Sequence, residues 1–130
     1  MILRISLLAT LLFFGALNAE DKIDNEFFET KIRPLLTEHC LKCHGETKHK
    51  GGLRLDSKLG WEKGGESGPA ALPKRAKDSL LIRMVQGSPG NPPQMPPDSV
   101  LPAELTADLV KWIDGGAPMR AIARLIAVVA

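Results

Sequence analysis

Two thiols and an imidazole lie close together in the segment Cys40-Leu41-Lys42-Cys43-His44. Two cysteines one helical turn apart can each form a thioether bond to one of the two vinyl groups on one edge of a porphyrin. The histidine that follows them then lies beneath the ring, where haem iron readily accepts an imidazole ligand. The spacing therefore predicts one covalently attached haem c, bound through Cys40 and Cys43, with His44 as an axial iron ligand.

The same side chains could support three other arrangements. A thioredoxin-like pair of redox cysteines requires a βαβ setting, and the surrounding sequence shows none. A zinc site needs four N or S ligands, and the candidates are Cys40, Cys43, His44 and His49. Adjacent Cys43 and His44 would crowd a tetrahedral site, however. The two cysteines could also be purely structural. An N-terminal export signal favours haem, because c-type haem is attached on the far side of the membrane.

The sixth iron ligand has several candidates beyond Met1, namely His39, His49, Met84, Met95 and Met119. We favour Met95, because prolines on both sides stiffen its loop and enough chain separates it from His44 to pass around the ring. Met84 lies on an apolar helical stripe, where methionine usually belongs to the core. A methionine ligand raises the reduction potential, whereas His49, the main alternative, would give a lower one.

Residues 1–19 have the pattern of a secretory signal peptide. Arg4 precedes an apolar stretch from Ile5 to Ala16, and Ala19 is followed by an acidic pair. The stretch is shorter than the roughly 20 apolar residues that a membrane-spanning helix needs. We therefore predict a periplasmic or otherwise exported protein without stable membrane insertion after cleavage.

Composition excludes several classes of protein. The 130 residues suit one domain, and two cysteines cannot form a disulfide-rich scaffold. A net charge of +2 gives no basic surface for nucleic acid. Neither paired carboxylates nor a Ser/His/Asp set occurs at a catalytic spacing, which favours an electron carrier over a hydrolytic enzyme. Aromatic residues make up only 5%, a thin core that a haem would complete.

Hydrophobic periodicity predicts three or four short helices joined by long loops. Asp24 can cap a first helix through Ile32, with a break or a restart at Pro34 and a second helical run over 34–41. Residues 45–77 are rich in glycine and predict a long loop, with a short extended piece at 53–56.

The second half of the chain predicts two more helices. Asp78 can cap a helix over 79–86 that ends at Gly87, and a proline-rich loop follows over 87–102. Thr106 is a candidate cap for the last helix, which the two glycines at 115 and 116 end. Long loops in a small domain indicate that they wrap a ligand.

Several segments besides the haem motif match one known family: Ile32-Arg33-Pro34-Leu35-Leu36, Gly51-Gly52-Leu53-Arg54-Leu55-Asp56-Ser57, Gly64-Gly65-Glu66-Ser67-Gly68-Pro69, Met95-Pro96-Pro97 and Trp112-Ile113-Asp114-Gly115-Gly116. Together they resemble the planctomycete-type cytochrome c domain, a relative of the class I cytochromes c. The resemblance implies an all-α cytochrome c fold around one haem, with Cys40 and Cys43 in thioether bonds. It also implies His44 and Met95 as the axial ligands.

The domain predicted from this resemblance covers residues 20–118. In this family the domain usually opens a much longer exported protein. We therefore interpret residues 119–130 as an apolar tail of a truncated chain, with a free-standing variant as the alternative.

Two further residues are candidates for haem contacts. Arg54 could pair with a haem propionate, and the Trp61 indole N–H could donate to one. The simpler interpretations are that Arg54 is a solvated loop charge and that Trp61 is a partly buried aromatic residue. Five lysines could form a docking rim for a redox partner protein: Lys42, Lys48, Lys50, Lys58 and Lys63. An ordinary solvated surface is the simpler interpretation.

The sequence thus predicts an exported single-haem cytochrome that transfers one electron through a His/Met-ligated iron, as a monomer or as part of a larger chain. Two alternatives remain open. One is a haem-based sensor with a displaceable sixth ligand, and the other is the electron-input domain of a larger exported enzyme.

Overall fold

The computed structural model describes residues 25–119, and these residues contain helices and turns but no β-strand. The α-helices are α1 (Arg33–His39), α2 (Lys58–Lys63), α3 (Leu80–Gln86) and α4 (Ala103–Asp114), with a π-helical segment Phe28–Ile32 and 3₁₀ turns Lys50–Gly52 and Ala76–Asp78. The predicted all-α class and the small number of short helices are confirmed. Within the described range, no helix combines the length and the apolar character needed to cross a bilayer. The predicted signal peptide, the cap at Asp24 and the tail beyond Met119 lie outside the described residues.

The chain remains helical through Pro34, and of the predicted break or restart the structure shows the restart, because a new α-helix begins at Arg33. The π-helical segment Phe28–Ile32 leads directly into α1, and the Arg33 N–H donates to the Phe28 carbonyl oxygen across the wider turn. Proline cannot donate the hydrogen bond that an α-helix interior requires. The π turn ends just before Pro34, which places proline in the first turn of α1, where its missing N–H costs little.

Helix α2 lies in the segment predicted to be a loop, and that prediction is corrected. The Ser57 hydroxyl accepts a hydrogen bond from the Gly60 backbone N–H at 3.0 Å and caps the helix. Gly60 lowers the helix propensity of this stretch, and Gly64 ends the helix with a positive φ. Burial of Trp61, only 1% exposed, outweighs that low propensity. Tertiary packing therefore forms a helix that local sequence disfavours.

Both predicted caps of the later helices are also wrong. The Asp78 carboxylate pairs with the Arg75 guanidinium at 3.0 Å, and Ser79 occupies the N-cap position of α3. Helix α4 begins at Ala103, so Thr106 lies buried within its first turn. The ends were predicted correctly, because α3 stops before Gly87 and α4 stops before the glycine pair.

Three aromatic side chains form the centre of the core. The ring centroids of Phe28 and Trp112 are 5.8 Å apart, and those of Trp61 and Trp112 are 4.9 Å apart in an edge-to-face arrangement. All three side chains are at most 2% exposed. Trp112 thus packs against Phe28 of the π-helical segment. The cluster joins the π-helical segment Phe28–Ile32, α2 and α4 to one another.

Candidate haem site

The two cysteines lie in a turn that directly follows α1. The Cys40 N–H donates to the Leu36 carbonyl at 2.9 Å, which continues the helical pattern to the first thiol. The N–H groups of Cys43 and His44 then donate to the Cys40 carbonyl at 3.2 and 3.0 Å. Both thiols are free and half-buried. The turn therefore holds the two cysteines and the histidine within one short, hydrogen-bonded stretch of backbone.

The environment of Cys40 argues against a redox thiol pair. Burial raises the pKa of the Cys40 thiol to about 11, so the thiol is protonated at neutral pH. Reactive redox cysteines have a lowered pKa instead.

The zinc alternative also lacks support. Within residues 25–119, no group of three or more histidine, cysteine or acidic side chains is arranged to hold a metal ion. The four zinc candidates named from the sequence thus do not converge.

Both the imidazole ring and the backbone carbonyl of His44 have hydrogen-bond partners. Its Nδ1 lies 3.3 Å from the Leu53 carbonyl oxygen, and its own carbonyl accepts a hydrogen bond from the Leu55 N–H at 2.8 Å. A proton on Nδ1, donated to Leu53, leaves the Nε2 lone pair available for a metal. The imidazole itself is half-buried.

His49 lies beside His44 in a tight turn. The two residues form an isolated antiparallel bridge, and the Lys50 N–H donates to the Cys43 carbonyl at 2.9 Å. Directly opposed residues of an antiparallel pair place their side chains on the same face. His49 is exposed, whereas His44 is half-buried.

Met95 lies in the proline-rich loop, next to the end of α3. Its backbone N–H donates to the Met84 carbonyl at 3.0 Å, and the Gln94 N–H donates to the same oxygen at 2.8 Å. That carbonyl belongs to the last turn of α3, where helical carbonyls lack partners within the helix. The Met95 side chain is 38% exposed. Its backbone is therefore fixed while its thioether is not packed into the core.

The structure gives Arg54 and Trp61 different surroundings. The Arg54 guanidinium binds the Asp56 carboxylate through two hydrogen bonds of 2.9 and 2.6 Å. Trp61 is buried, and its indole Nε1 has no hydrogen-bond partner among the described residues. In contrast, the Nε1 of Trp112 donates to the Pro118 carbonyl at 3.0 Å. A buried donor without a partner is costly, and a bound ligand would remove the cost.

Asp56→Asn is expected to lower stability at neutral pH and to flatten the loss of stability in acid. Hydrogen bonding from Arg54 holds the pKa of the Asp56 carboxyl below its ordinary value. The carboxylate then stabilises the fold above the unfolded-state pKa of about 3.9. This contribution disappears as the pH falls through the lowered folded-state pKa. Urea unfolding from neutral pH into acid measures the effect.

The control for this experiment is the same substitution in an Arg54→Ala background. Without the guanidinium, Asp56→Asn should change the pH profile much less. A stability difference between Asp56→Asn and the wild type that stays constant across the titration would contradict the prediction.

Two surface cavities are lined in part by residues of α3. One, of about 290 Å³, is lined by Met84, Gln94 and their neighbours. The other, of about 750 Å³, lies between α3 and α4 and is lined by residues such as Val85 and Thr106. Neither cavity is lined by His44 or Met95, so these two cavities do not bring the predicted axial ligands together.

Sequence reasoning missed the backbone groups that position the candidate ligands. The Leu53 carbonyl orients His44, and the Met84 carbonyl anchors the loop of Met95. Every residue except proline carries the same backbone groups, so no residue type marks these positions. Only the path of the folded backbone reveals these two carbonyl groups as anchors.

An all-α domain with two thiols and an imidazole in one turn is typical of the c-type cytochromes. Residues 40–99 match the sequence profile of the family described as planctomycete cytochrome C. The match confirms the predicted resemblance. No curated protein and no solved structure matches the chain. The family indicates haem-based electron transfer with haem c as the cofactor, and cytochrome c domains are typically exported.

Proposed function

We propose that this protein is an exported single-haem c-type cytochrome that transfers one electron at a time through a His/Met-ligated iron. The carrying observation is the turn after α1, where Cys40 and Cys43 precede an imidazole oriented through its Nδ1 by the Leu53 carbonyl. Haem supplies a reversible ferric–ferrous couple when it is bound. The polypeptide supplies the attachment thiols, the axial ligands and a partly water-excluding environment.

Trp61 gives the best test of whether the described residues fit a haem. Its Nε1 is buried without a partner in residues 25–119, as expected of a donor whose acceptor belongs to a bound molecule. A haem propionate is an acceptor of suitable charge. Arg54 is a weaker candidate, because Asp56 already engages its guanidinium. The described residues therefore fit haem at the thiols, at His44 and at Trp61.

The geometry favours Met95 over His49 as the sixth ligand. Axial ligands approach the iron from opposite faces of the porphyrin, so they must come from opposite sides of the ring. His44 and His49 face each other across one tight turn, where Cα atoms are about 4.5–5.5 Å apart. Such neighbours cannot lie on the two sides of one ring. Met95 belongs to a separate loop, which supports its assignment.

We further propose that a redox partner protein docks near the attachment turn. The lysines predicted to form a rim there are all exposed: Lys42, Lys48, Lys50, Lys58 and Lys63. Such a surface favours a partner with acidic groups.

The function is tested on protein produced together with haem-attachment machinery. We expect one haem per chain and a reversible potentiometric titration with the slope of a single-electron couple. Chains that carry no haem would refute the function.

Ligand binding separates the carrier from the sensor alternative. The exposed thioether of Met95 is the observation that keeps a displaceable sixth ligand in consideration. Slow or absent carbon monoxide binding to the ferrous protein supports the carrier. Rapid binding would favour the sensor.

Trp61→Phe is expected to raise the pKa of a haem propionate in the loaded protein by about one to two units. The loss of a hydrogen bond to a charged group costs roughly 1.5–3 kcal/mol, and one pKa unit corresponds to about 1.36 kcal/mol. The carboxylate loses a donor, so its charged form becomes less stable. The reduction potential measured against pH reports this pKa.

Trp112→Phe is the matched control, because the Trp112 N–H already donates to the Pro118 carbonyl. Its propionate pKa should equal that of the wild type. If the reduction potential of Trp61→Phe has the same pH dependence as that of the wild type, Trp61 does not donate a hydrogen bond to a propionate.

A further inference from the structure

Gly87 lies where the end of α3 meets the loop that carries Met95. Its φ of +72° belongs to the left-handed region. A Cβ at this position would lie 2.6 Å from the Asn91 carbonyl oxygen, 2.8 Å from the Pro93 nitrogen and 2.9 Å from the Pro92 carbonyl carbon. All three are backbone atoms of the segment that leads to Met95. The loop therefore cannot relieve such a contact by moving one side chain.

Hydrogen bonds hold this loop both before and after the segment that contacts Gly87. Before the contact, Ser88 and Asn91 exchange two backbone hydrogen bonds of 2.8 Å and close a tight turn. After it, the N–H groups of Gln94 and Met95 donate to the Met84 carbonyl. The chain thus leaves α3, turns, passes over Gly87 and returns to the same helix just before Met95. The backbone position of Met95 depends on how closely the loop approaches position 87.

We propose that Gly87 is a positioning residue for Met95 as an iron ligand. The missing side chain lets residues 91–93 lie against the end of α3, and this contact sets how far the Met95 sulfur extends from the helix. A side chain at position 87 would push the loop outward, disturb the hydrogen bonds to the Met84 carbonyl and weaken the bond from sulfur to iron. The inference rests on the proposed His44/Met95 ligation.

The test compares Gly87→Ala with Gly90→Ala in the haem-loaded protein. Gly90 has a similar φ of +80° and lies in the same loop, but a Cβ there would meet nothing within 4 Å. Both substitutions place alanine at a positive φ, and only the first creates the backbone contact. Gly87 also has a ψ of −169°, which only glycine adopts readily, so the unfolding of both variants must be compared to separate the contact from the conformational cost.

The readouts are the Met–iron absorption band of the ferric protein and its affinity for added imidazole, which competes with methionine. Gly87→Ala should weaken the band and raise the imidazole affinity about tenfold, equivalent to about 1.4 kcal/mol of lost methionine ligation. Gly90→Ala should keep the band and the affinity of the wild type. Thermal unfolding of both variants shows whether either has lost overall stability.

Gly87→Asn provides a second variant with a Cβ at this position. At a ψ of −169° asparagine has a conformational cost similar to that of alanine, and it makes the same backbone contact. We expect Gly87→Asn to be defective in methionine ligation as well. Wild-type imidazole affinity in Gly87→Asn, or equal affinities in the two alanine variants, would overturn the role of Gly87 alone. Absence of the Met–iron band from the wild type would overturn the proposed ligation, and this inference with it.

Discussion

Alanine at both Cys40 and Cys43 is expected to abolish haem staining of the denatured protein completely. Haem held only by axial ligands leaves the chain when the fold is lost, whereas thioether-bound haem stays on it. The two thiols lie in the turn that follows α1, and they are the only cysteines in the sequence. No other side chain in the protein can form these bonds. The measurement is a haem stain after denaturing electrophoresis.

The single variants are the controls for this experiment. Cys40→Ala and Cys43→Ala each retain one thiol, so each should keep a covalent link and stain more weakly than the wild type. Staining that persists in the double variant would contradict thioether attachment. An unstained wild type, made with the attachment machinery present, would end the haem c assignment.

Met95→Ala is expected to eliminate the Met–iron absorption band and to lower the reduction potential. Thioether ligation favours ferrous iron, so its loss stabilises the ferric state. The expected drop is on the order of 0.1 V, a fraction of the roughly 0.8 V that axial ligands can span. Absorption spectroscopy and potentiometry measure the two effects.

Met84→Ala is the matched control for Met95→Ala. It removes a half-buried thioether on α3 but keeps the backbone carbonyl that anchors the Met95 loop. The band should survive this substitution. If the band survives in Met95→Ala and disappears in Met84→Ala, the sixth-ligand assignment moves to α3.

The parts of the fold predicted from the sequence are those governed by local patterns. The apolar spacing in α3 and α4 predicted helices, and glycine just beyond each helix predicted its end. Helix α2 was missed because burial of Trp61 against Phe28 and Trp112 stabilises it despite Gly60 in its interior. Contacts with residues far away in sequence leave no local pattern. The same applies to the π turn before Pro34.

The candidate site was predicted as far as side chains could reveal it. The spacing of Cys40, Cys43 and His44 indicated haem attachment without any knowledge of the fold. Backbone acceptors such as the Leu53 carbonyl and close approaches such as that at Gly87 depend on loop paths. A short motif encodes which groups can react, whereas the folded chain determines how they are held.

The aromatic core also determines how this protein can be observed. The sequence has two tryptophans and no tyrosine, and both tryptophans lie in one edge-to-face pair against Phe28. Nearly all ultraviolet emission of the polypeptide therefore originates from a single site in the core, where the π-helical segment, α2 and α4 meet. Separation of any one of the three from the others changes the surroundings of both fluorophores. Intrinsic fluorescence thus serves as a built-in optical probe of core assembly, without an introduced label.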